Sequence, residues 1–589
     1  MESPDRLGSE SGGTERGETT MEEERSFVGP VDRRRLLQLG AAAAATPLVA
    51  GALVERARAA GPHEELEDAS IASLQAQMTS GGLTALALVQ HYQTRIQNLD
   101  RKGPSVNSVL ELNPDAEAIA RSLDQERKAG HFRGPLHGIP VLIKGNIDTA
   151  DKMSSTAGSL ALVGAAPAQD ATVAKRLREA GAIILGKANL SEWANFRSTQ
   201  SSSGWSGQGG QTRNPYVLDR NPCGSSSGSG AAVSAAFCAA ALGTETDGSI
   251  VCPAHQNGVV GIKPTVGLTS RAGVVPIAHS QDTVGPHGKS VADAAAMLGA
   301  LTGVDPRDPA TAASAGNSFT DYTQFLNLNG LKGARIGVMR AGVTGYSPET
   351  DAVYEDALDV LRAAGATLVD PADLATIDEI NSGADELVVL IYEFKRDLNT
   401  YLATRTGIPV HTLADCIAFN LAHADQELKW FGQELFELAE SDPYTAAQYN
   451  SSLAHERALG GSLGIDATLA GSNLAALVAP TGAPAWPTDL VNGDHFLGAS
   501  SSPAAIAGYP IVNVPMGDSF GLPVGLSFFG TAWSEPDLIK LASGFEAAAK
   551  ARKKPQFLPT LPTDAAAKLQ RGKGPKKKAA PTAPAVAGL

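Results

Sequence analysis

Cysteine is scarce in this sequence, with four in 589 residues: Cys223, Cys238, Cys252 and Cys416. They form no C-x-x-C pair and no Cys/His cluster with the spacing of a zinc site, so neither a redox motif nor a metal centre is indicated. We therefore expect no metal. Scattered cysteines of this kind often behave as small buried hydrophobic residues, and we predict buried free thiols.

Positive charge is also in deficit, since the formal net charge is −14. A nucleic-acid partner is disfavoured, because the phosphate backbone requires a basic face. No G-x-x-x-x-G-K-[ST] and no G-x-G-x-x-G occurs, which removes the main support for nucleotide binding, and we expect no cofactor. None of the eleven histidines lies in a G-x-S-x-G context, so we predict structural or hydrogen-bonding functions for His137 and His255.

The first 59 residues have the form of an export segment. Residues 1–30 are polar and acidic, and Arg33, Arg34 and Arg35 then precede an uncharged, alanine-rich stretch over residues 36–54 that closes with Ala-Arg-Ala. This pattern is typical of a twin-arginine signal peptide, and it predicts a periplasmic or extracellular protein with no stable membrane insertion after cleavage. An uncleaved anchor is the alternative.

Residues 60–554 predict one catalytic domain of the α/β class. Apolar residues at helical spacing alternate with short β-branched stretches, as in a helix over 171–180, Gly181 and a strand over 182–185. A helical region over 387–460 could lie over a site, or its aromatic residues could simply be packing residues. From 555 to 589 the chain is rich in proline, alanine and lysine, which predicts a solvated, disordered tail.

Two serine-glycine segments stand out, C-G-S-S-S-G-S-G at 223–230 and G-T-E-T-D-G-S-I-V at 243–251. The alanine-dominated stretch between them, 231–241, predicts a buried helix. Glycine allows close approach to the main chain and serine supplies a small hydroxyl, so the segments suit a pocket of backbone N–H groups that stabilises an oxyanion. The alternative is an ordinary flexible loop, because compositional bias is weak evidence.

The ordered motifs around these segments resemble the amidase signature family of serine hydrolases. The resemblance covers roughly residues 65–550 and includes H-G-I-P-V-L-I-K at 137–144, G-V-V-G-I-K-P-T at 258–265 and S-Q-D-T-V-G-P at 280–286. Within the family the wording is closest to the peptide amidases, for example in N-L-S-E-W-A-N-F-R at 189–197 and G-T-A-W-S-E-P at 530–536. The implied fold is a single large α/β domain, with a twisted mixed sheet of about eleven strands covered by helices on both sides.

The resemblance also implies a site. Ser249 aligns with the nucleophile, Ser225 with a bridging serine and Lys144 with the general base, so that neutral Lys144 takes a proton from Ser225, and Ser225 takes one from Ser249. The bridging serine of the family follows a cis peptide bond, here between Gly224 and Ser225. The implied oxyanion hole consists of the backbone N–H groups of Thr246, Asp247, Gly248 and Ser249, and the implied substrate contacts are Asp247, Gly224 and Ser226.

Three positions depart from the wider family. Gly145 stands where most members have aspartate after the lysine, which affects the hydrogen bonding expected around the base. Asp247 replaces a glycine and Val251 a common arginine, as in the peptide amidase subgroup. Asp247 could hold a substrate N–H group or only cap the following helix. From the residues alone, Lys144 could equally be a snorkelling surface lysine at a strand end.

These observations favour an exported hydrolase that releases ammonia from small-molecule, amino-acid or peptide amides. We expect it to be a monomer. A second interpretation is the glutaminase component of a tRNA-dependent amidotransferase, which shares the three catalytic residues but works in the cytoplasm. A third is a secreted binding protein that retains the fold without catalysis. The presence of Lys144, Ser225 and Ser249 together argues against the third.

Overall fold

One mixed β-sheet runs through residues 66–562, the part of the chain that the computed structural model describes. Its eleven strands, in chain order, are β1 (Val109–Leu112), β2 (Pro140–Lys144), β3 (Ile183–Ala188), β4 (Ala240–Glu245), β5 (Val260–Lys263), β6 (Thr283–Gly288), β7 (Arg335–Val338), β8 (Thr367–Val369), β9 (Ala476–Pro480), β10 (Ile511–Ser519) and β11 (Leu522–Phe529). Across the sheet the order is β1-β3-β2-β4-β6-β5-β10-β11-β9-β7-β8. Parallel pairs, such as β2 with β3 and β4, occur beside antiparallel pairs, such as β4 with β6.

Helices connect and cover these strands. In chain order they are α1 (Ile71–Thr79), α2 (Ala85–Arg95), α3 (Ala116–Lys128), α4 (Thr172–Glu179), α5 (Ser227–Ser234), α6 (Val251–Gln256), α7 (Val291–Leu301), α8 (Pro348–Ala363), α9 (Ile377–Ser382), α10 (Ala384–Leu402), α11 (Leu413–Ala422), α12 (Glu434–Glu440), α13 (Ala446–Gly460), α14 (Asp466–Ser472), α15 (Ser502–Ala507) and α16 (Glu535–Ala549). Several begin at a side-chain cap, as where Ser70 accepts from the N–H of Ser73 at the start of α1. The described part contains no helix that is long and apolar enough to cross a membrane.

Both faces of the sheet are packed against hydrophobic residues. Successive side chains of a strand point to opposite faces. In β9, Val478 belongs to a core cluster that includes residues of α7, α8 and α16, whereas Leu477 belongs to a second cluster with residues of α9 and α15. Phe528 and Phe529 of β11 divide between the same two clusters. The predicted sheet covered by helices on both sides is therefore confirmed.

The predicted helix over residues 231–241 is wrong. Helix α5 ends at Ser234, and the alanines from Ala240 onward form β4, which pairs with β2 and β6. The helix propensity of alanine is worth only a few tenths of a kcal/mol per residue over most other residues. Pairing on both edges of a fully buried strand outweighs it, because tertiary context routinely overrides local propensity.

The start of the predicted tail is also placed too early. Residues 555–562 lie within the described part, and Leu558 forms a β-bridge with Val217 while Phe557 donates its N–H to Pro215 O at 2.8 Å. These apolar side chains supply a packing interaction that the proline- and lysine-rich composition conceals. The predicted export segment, residues 1–59, and the remainder of the predicted tail, residues 563–589, lie outside the described residues.

Candidate active site

The predicted site lies at the edge of the sheet where β2 and β4 end. These strands are parallel neighbours, with Ile143 opposite Leu242, so their carboxyl ends reach the same edge. Lys144 is the last residue of β2, and Thr244 lies beside it near the end of β4. The loop that follows β4 carries Ser249 and leads into α6. The strand order thus brings together residues about one hundred positions apart in the sequence.

Lys144 is completely buried, which excludes the snorkelling interpretation. Its Nζ donates to Ser225 Oγ at 2.7 Å, to Thr244 Oγ1 at 2.8 Å and to Thr244 O at 3.2 Å. At the following Gly145, a Cβ atom would lie 2.8 Å from Leu110 Cδ1, so the aspartate common in the wider family has no space here without rearrangement. The side chain of Thr244 instead provides hydrogen bonding around the amine.

Burial sets the protonation of this amine. Loss of solvation lowers the pKa of Lys144 from 10.5 to about 7, and the negative charges of Asp282 and then Glu245 oppose this effect only in part. At neutral pH roughly half of the molecules therefore carry an uncharged amine. Only an uncharged amine can accept a proton from Ser225, so the environment of Lys144 meets the requirement for a general base.

Backbone hydrogen bonds hold the two predicted catalytic serines near each other. The peptide bond between Gly224 and Ser225 is cis, as the family resemblance implies. Ser225 is completely buried, and its carbonyl accepts from the N–H of Ser191 at 3.0 Å. The N–H of the next residue, Ser226, donates to Ser249 O at 3.1 Å and so ties the nucleophile loop to the start of α5.

The loop from Thr246 to Ser249 is held at both ends. The carboxylate of Glu245 accepts from the N–H groups of Ile250 and Val251, at 2.6 and 2.9 Å, and Thr246 Oγ1 donates to Asp282 at 2.6 Å. Among the described residues, no protein acceptor takes a hydrogen bond from the backbone N–H groups of Thr246, Asp247, Gly248 or Ser249. Fixed donors without a protein partner are what an oxyanion hole requires.

These elements open into a cavity of about 500 Å³. Ser249 and its loop form one part of the wall; other residues that line it include Gly224, Cys223, Cys252, Ser203, Leu390, Asp494, Phe496, Ser501 and Ser502. A larger cavity of about 850 Å³ lies against Asp148, Tyr401 and Arg405, and none of the predicted site residues lines it. The chemistry therefore belongs to the smaller cavity.

The three predicted substrate contacts have different positions. Gly224 and Asp247 line the cavity. Ser226 does not: its hydroxyl donates to Thr244 O at 3.1 Å and accepts from Thr244 N at 3.2 Å. Because both bonds go to β4, the hydroxyl of Ser226 positions the strand instead of contacting a substrate. Asp247 accepts from the hydroxyls of Ser501 and Ser502, so it is a cavity carboxylate and not merely a helix cap.

The prediction of four free thiols is wrong for two of them. Cys223 and Cys252 form a disulfide, with their Cα atoms 5.9 Å apart, although 29 positions separate them in the sequence. The packing of α5 against α6 brings these chain segments together, and such a contact is not visible in cysteine spacing. Cys238 and Cys416 are free and buried, as predicted.

One group of side chains away from this cavity has the composition of a metal site, namely His279, Glu393 and Asp397. Each has protein partners already. His279 Nδ1 lies 2.8 Å from Asp397 Oδ2, and Glu393 accepts from Ser280 N at 2.9 Å and from the hydroxyl of Tyr449 at 2.6 Å. The group is therefore accounted for as an ion pair with its hydrogen bonds, and the expectation that the protein needs no metal stays a prediction.

The remaining predictions concern packing. His137 lies 3.0 Å from Leu123 O, and His255 lies 2.8 Å from Ala483 O and accepts from Gly525 N, so both histidines form hydrogen bonds as predicted. The region over 387–460 does reach the cavity through Leu390. Its aromatic residues pack elsewhere, as where Tyr392 stacks on Tyr449.

Several residues at the site were not singled out from the sequence. Thr244 and Asp282 stand inside motifs quoted above, so their neighbourhood with Lys144 could have been anticipated. Asn146, whose Nδ2 donates to Thr244 Oγ1 at 3.0 Å, follows the catalytic strand by two positions. Asp494, in contrast, comes from a loop without any recognisable motif, and only the folded structure brings it to the cavity.

Comparison with known proteins gives a consistent result. The family model described as Amidase matches residues 87–539. The native peptide amidase from Stenotrophomonas maltophilia is 52% identical, with a TM-score of 0.79, over 83% of this chain and 98% of that one. A probable amidase from Arabidopsis thaliana is 44% identical over 84% of this chain and 92% of its own length. One component of a glutamyl-tRNA(Gln) amidotransferase from Synechococcus is 35% identical over 82% and 97%.

Proposed function

The chain belongs to the amidase family and is an amide hydrolase, and from this we propose that it removes the C-terminal amide of peptides and releases ammonia. The observation that carries the proposal is the fully buried Lys144 amine, 2.7 Å from Ser225 Oγ at the floor of the cavity that Ser249 lines. The similarity to a peptide amidase supports the choice of substrate.

The proposed first half-reaction forms an ester on Ser249. Ser249 Oγ attacks the carboxamide carbon while its proton passes to Ser225 Oγ, whose own proton passes to uncharged Lys144. The carbonyl oxygen becomes an oxyanion that accepts hydrogen bonds from the N–H groups of the Thr246–Ser249 loop. Loss of one such donor typically lowers the rate by about 10²–10³-fold. The proton then returns along the same route to the nitrogen, and ammonia leaves.

The second half-reaction hydrolyses the ester. A water molecule attacks the acyl carbon and transfers a proton towards Ser225 and Lys144, and the oxygen of Ser249 recovers a proton as the carboxylic acid departs. Thr244 supports both halves, because its carbonyl accepts one N–H of Lys144 and its hydroxyl lies 2.8 Å from the same nitrogen. The amine therefore keeps one orientation in both protonation states.

The composition of the cavity disfavours the glutaminase interpretation. Glutamine carries an α-carboxylate, which an enzyme site usually holds with a cation. No lysine, arginine or histidine is present among the described residues that line the cavity. A non-catalytic binding protein is disfavoured in turn, because burying a lysine unpaired with a carboxylate is costly unless its lowered pKa has a use.

We also propose that the enzyme acts outside the cytoplasm, as a monomer. The twin-arginine pattern before residue 60 supports export. The Cys223–Cys252 disulfide adds support, since disulfides persist in oxidising compartments and are rare in cytosolic proteins. Detection of the mature protein in the periplasm or medium, and its loss when Arg34 and Arg35 are changed to lysine, tests export; light scattering tests the monomer.

Release of ammonia from peptide amides tests the activity. We expect turnover by the wild type and none above background by the Ser249→Ala variant. Ser451→Ala, on an exposed face of α13, is the matched control and should retain full activity. Equal ammonia release by the wild type and Ser249→Ala would refute the assignment of the nucleophile, and release of the peptide acid must match that of ammonia mole for mole.

A further inference from the structure

The catalytic cavity has a charge of one sign only. Two carboxylates, Asp247 and Asp494, line it, and among the described lining residues there is no cationic side chain. The two acids come from different walls, since Asp247 belongs to the nucleophile loop and Asp494 to the segment between β9 and α15. A ligand in the cavity therefore meets negative charge from both sides.

Neither carboxylate is neutralised by an ion pair. Within the described part of the chain, no cation lies within 4.0 Å of either one. Asp247 accepts from the neutral hydroxyls of Ser501 and Ser502. Neutral donors also hold Asp494: Ser203 N at 2.9 Å, Asn221 Nδ2 at 3.1 Å and Trp486 Nε1 at 3.1 Å. Each carboxylate thus keeps its charge available to a ligand.

The surroundings of Asp247 add more negative than positive charge. Burial, and after it the charge of Asp247, raises the pKa of Glu386 to about 8. The opposing cation is Lys263, which is fully buried and is shared electrostatically with Glu245 and Glu535 as well as Asp247. One lysine among three carboxylates does not compensate the potential in the cavity.

We propose that Asp247 and Asp494 make the cavity selective for amides whose acyl part carries a positive charge, such as peptide amides with a free amino terminus or a basic side chain. This inference rests on the proposed function. The scissile carboxamide itself is uncharged, so the selection acts on the rest of the substrate. Carboxylates facing an anionic substrate across a partly desolvated cavity also reject it, which is how specificity against a wrong partner is commonly obtained.

The same charges promote product release. Hydrolysis turns a neutral carboxamide into a carboxylate at the point nearest Ser249. The new negative charge is repelled by both acids, so the product acid binds more weakly than the amide from which it came. Weak product inhibition is therefore a second expected consequence of the proposal.

Three substrates with the same scissile amide test the selectivity: glycyl-leucinamide, its N-acetyl derivative and its N-succinyl derivative, with cationic, neutral and anionic ends. We expect kcat/KM of the wild type to fall by about tenfold at each step at low ionic strength, and the differences to narrow in about 0.5 M salt. Equal kcat/KM for the three, or no effect of salt on their ratio, would overturn the inference without any variant.

Variants assign the effect to residues. Asp247→Asn and Asp494→Asn should each reduce the preference for the cationic over the neutral substrate by about three- to tenfold. Asp537→Asn, exposed on α16, removes the same unit of charge far from the lining residues and should leave the ratio unchanged. A merely structural function would lower kcat/KM for all substrates and keep the ratio, which would also overturn the inference. A wild type inactive on all three would contradict the proposed function itself.

Discussion

The pH dependence of the reaction tests the proposed state of Lys144 most directly. A lysine with the ordinary pKa of about 10.5 is uncharged in only about 3 of 10⁴ molecules at pH 7, whereas one with a pKa of about 7 is uncharged in about half of them. Burial thus increases the amount of active base by roughly 10³-fold. Because the uncharged form is active and accumulates as pH rises, activity must increase with pH through about 7.

We therefore expect kcat/KM to rise about tenfold per pH unit between pH 5 and 7 and to level off above about pH 8. The assay is ammonia release from an N-acetylated dipeptide amide, whose own charge does not change in this range. Samples returned to pH 8 after each incubation control for irreversible inactivation. An unchanging kcat/KM from pH 5 to 9, or an acid limb near pH 10, would refute the reasoning.

A variant of Asp282 shows which group titrates. Burial raises the pKa of Asp282 to about 6, so its own ionisation could produce an acid limb close to that of Lys144. The charge of Asp282 also raises the pKa of Lys144. If Lys144 is responsible, Asp282→Asn moves the limb to lower pH and preserves its slope; if the limb belongs to Asp282, it disappears in the variant.

Three further outcomes are expected. Lys144→Met should abolish ammonia release and, relative to the wild type, be more stable to urea at pH 6 than at pH 9 by about 2–3 kcal/mol, because the cost of the buried charge is complete below the folded-state pKa and shrinks towards 10.5; a stability difference independent of pH would contradict this. Replacement of Cys223 and Cys252 by serine should lower the free energy of unfolding by about 3–4 kcal/mol through loss of loop closure, and an unchanged urea midpoint would contradict it. Ser225→Ala should lower kcat by about 10²–10⁴-fold with little change in KM, and a loss below tenfold would show that Ser225 is not in the proton path.

The parts of the site that could be predicted are those carried by local motifs. Lys144, Ser225 and Ser249 each lie in a short segment whose wording identifies it, and the alternation of helices and strands was enough for the fold class. The residues that could not be predicted depend on contacts between distant segments. Asp494 reaches the cavity through Asn221 and Trp486, and the alanines of β4 are held in a strand only by neighbours that local propensity does not include.

The floor of the cavity is built on glycines that leave no space for a methyl group. A Cβ atom at Gly224 would lie 2.1 Å from Ser191 Oγ, and one at Gly243 would lie 2.7 Å from both Ser226 Oγ and His287 Cε1. In contrast, Phe496 and Asn492 line the opposite side and are exposed to solvent. Directed evolution of the substrate range should therefore randomise the outer loop and leave the glycine floor unchanged, since diversity placed there would fill a library with inactive members.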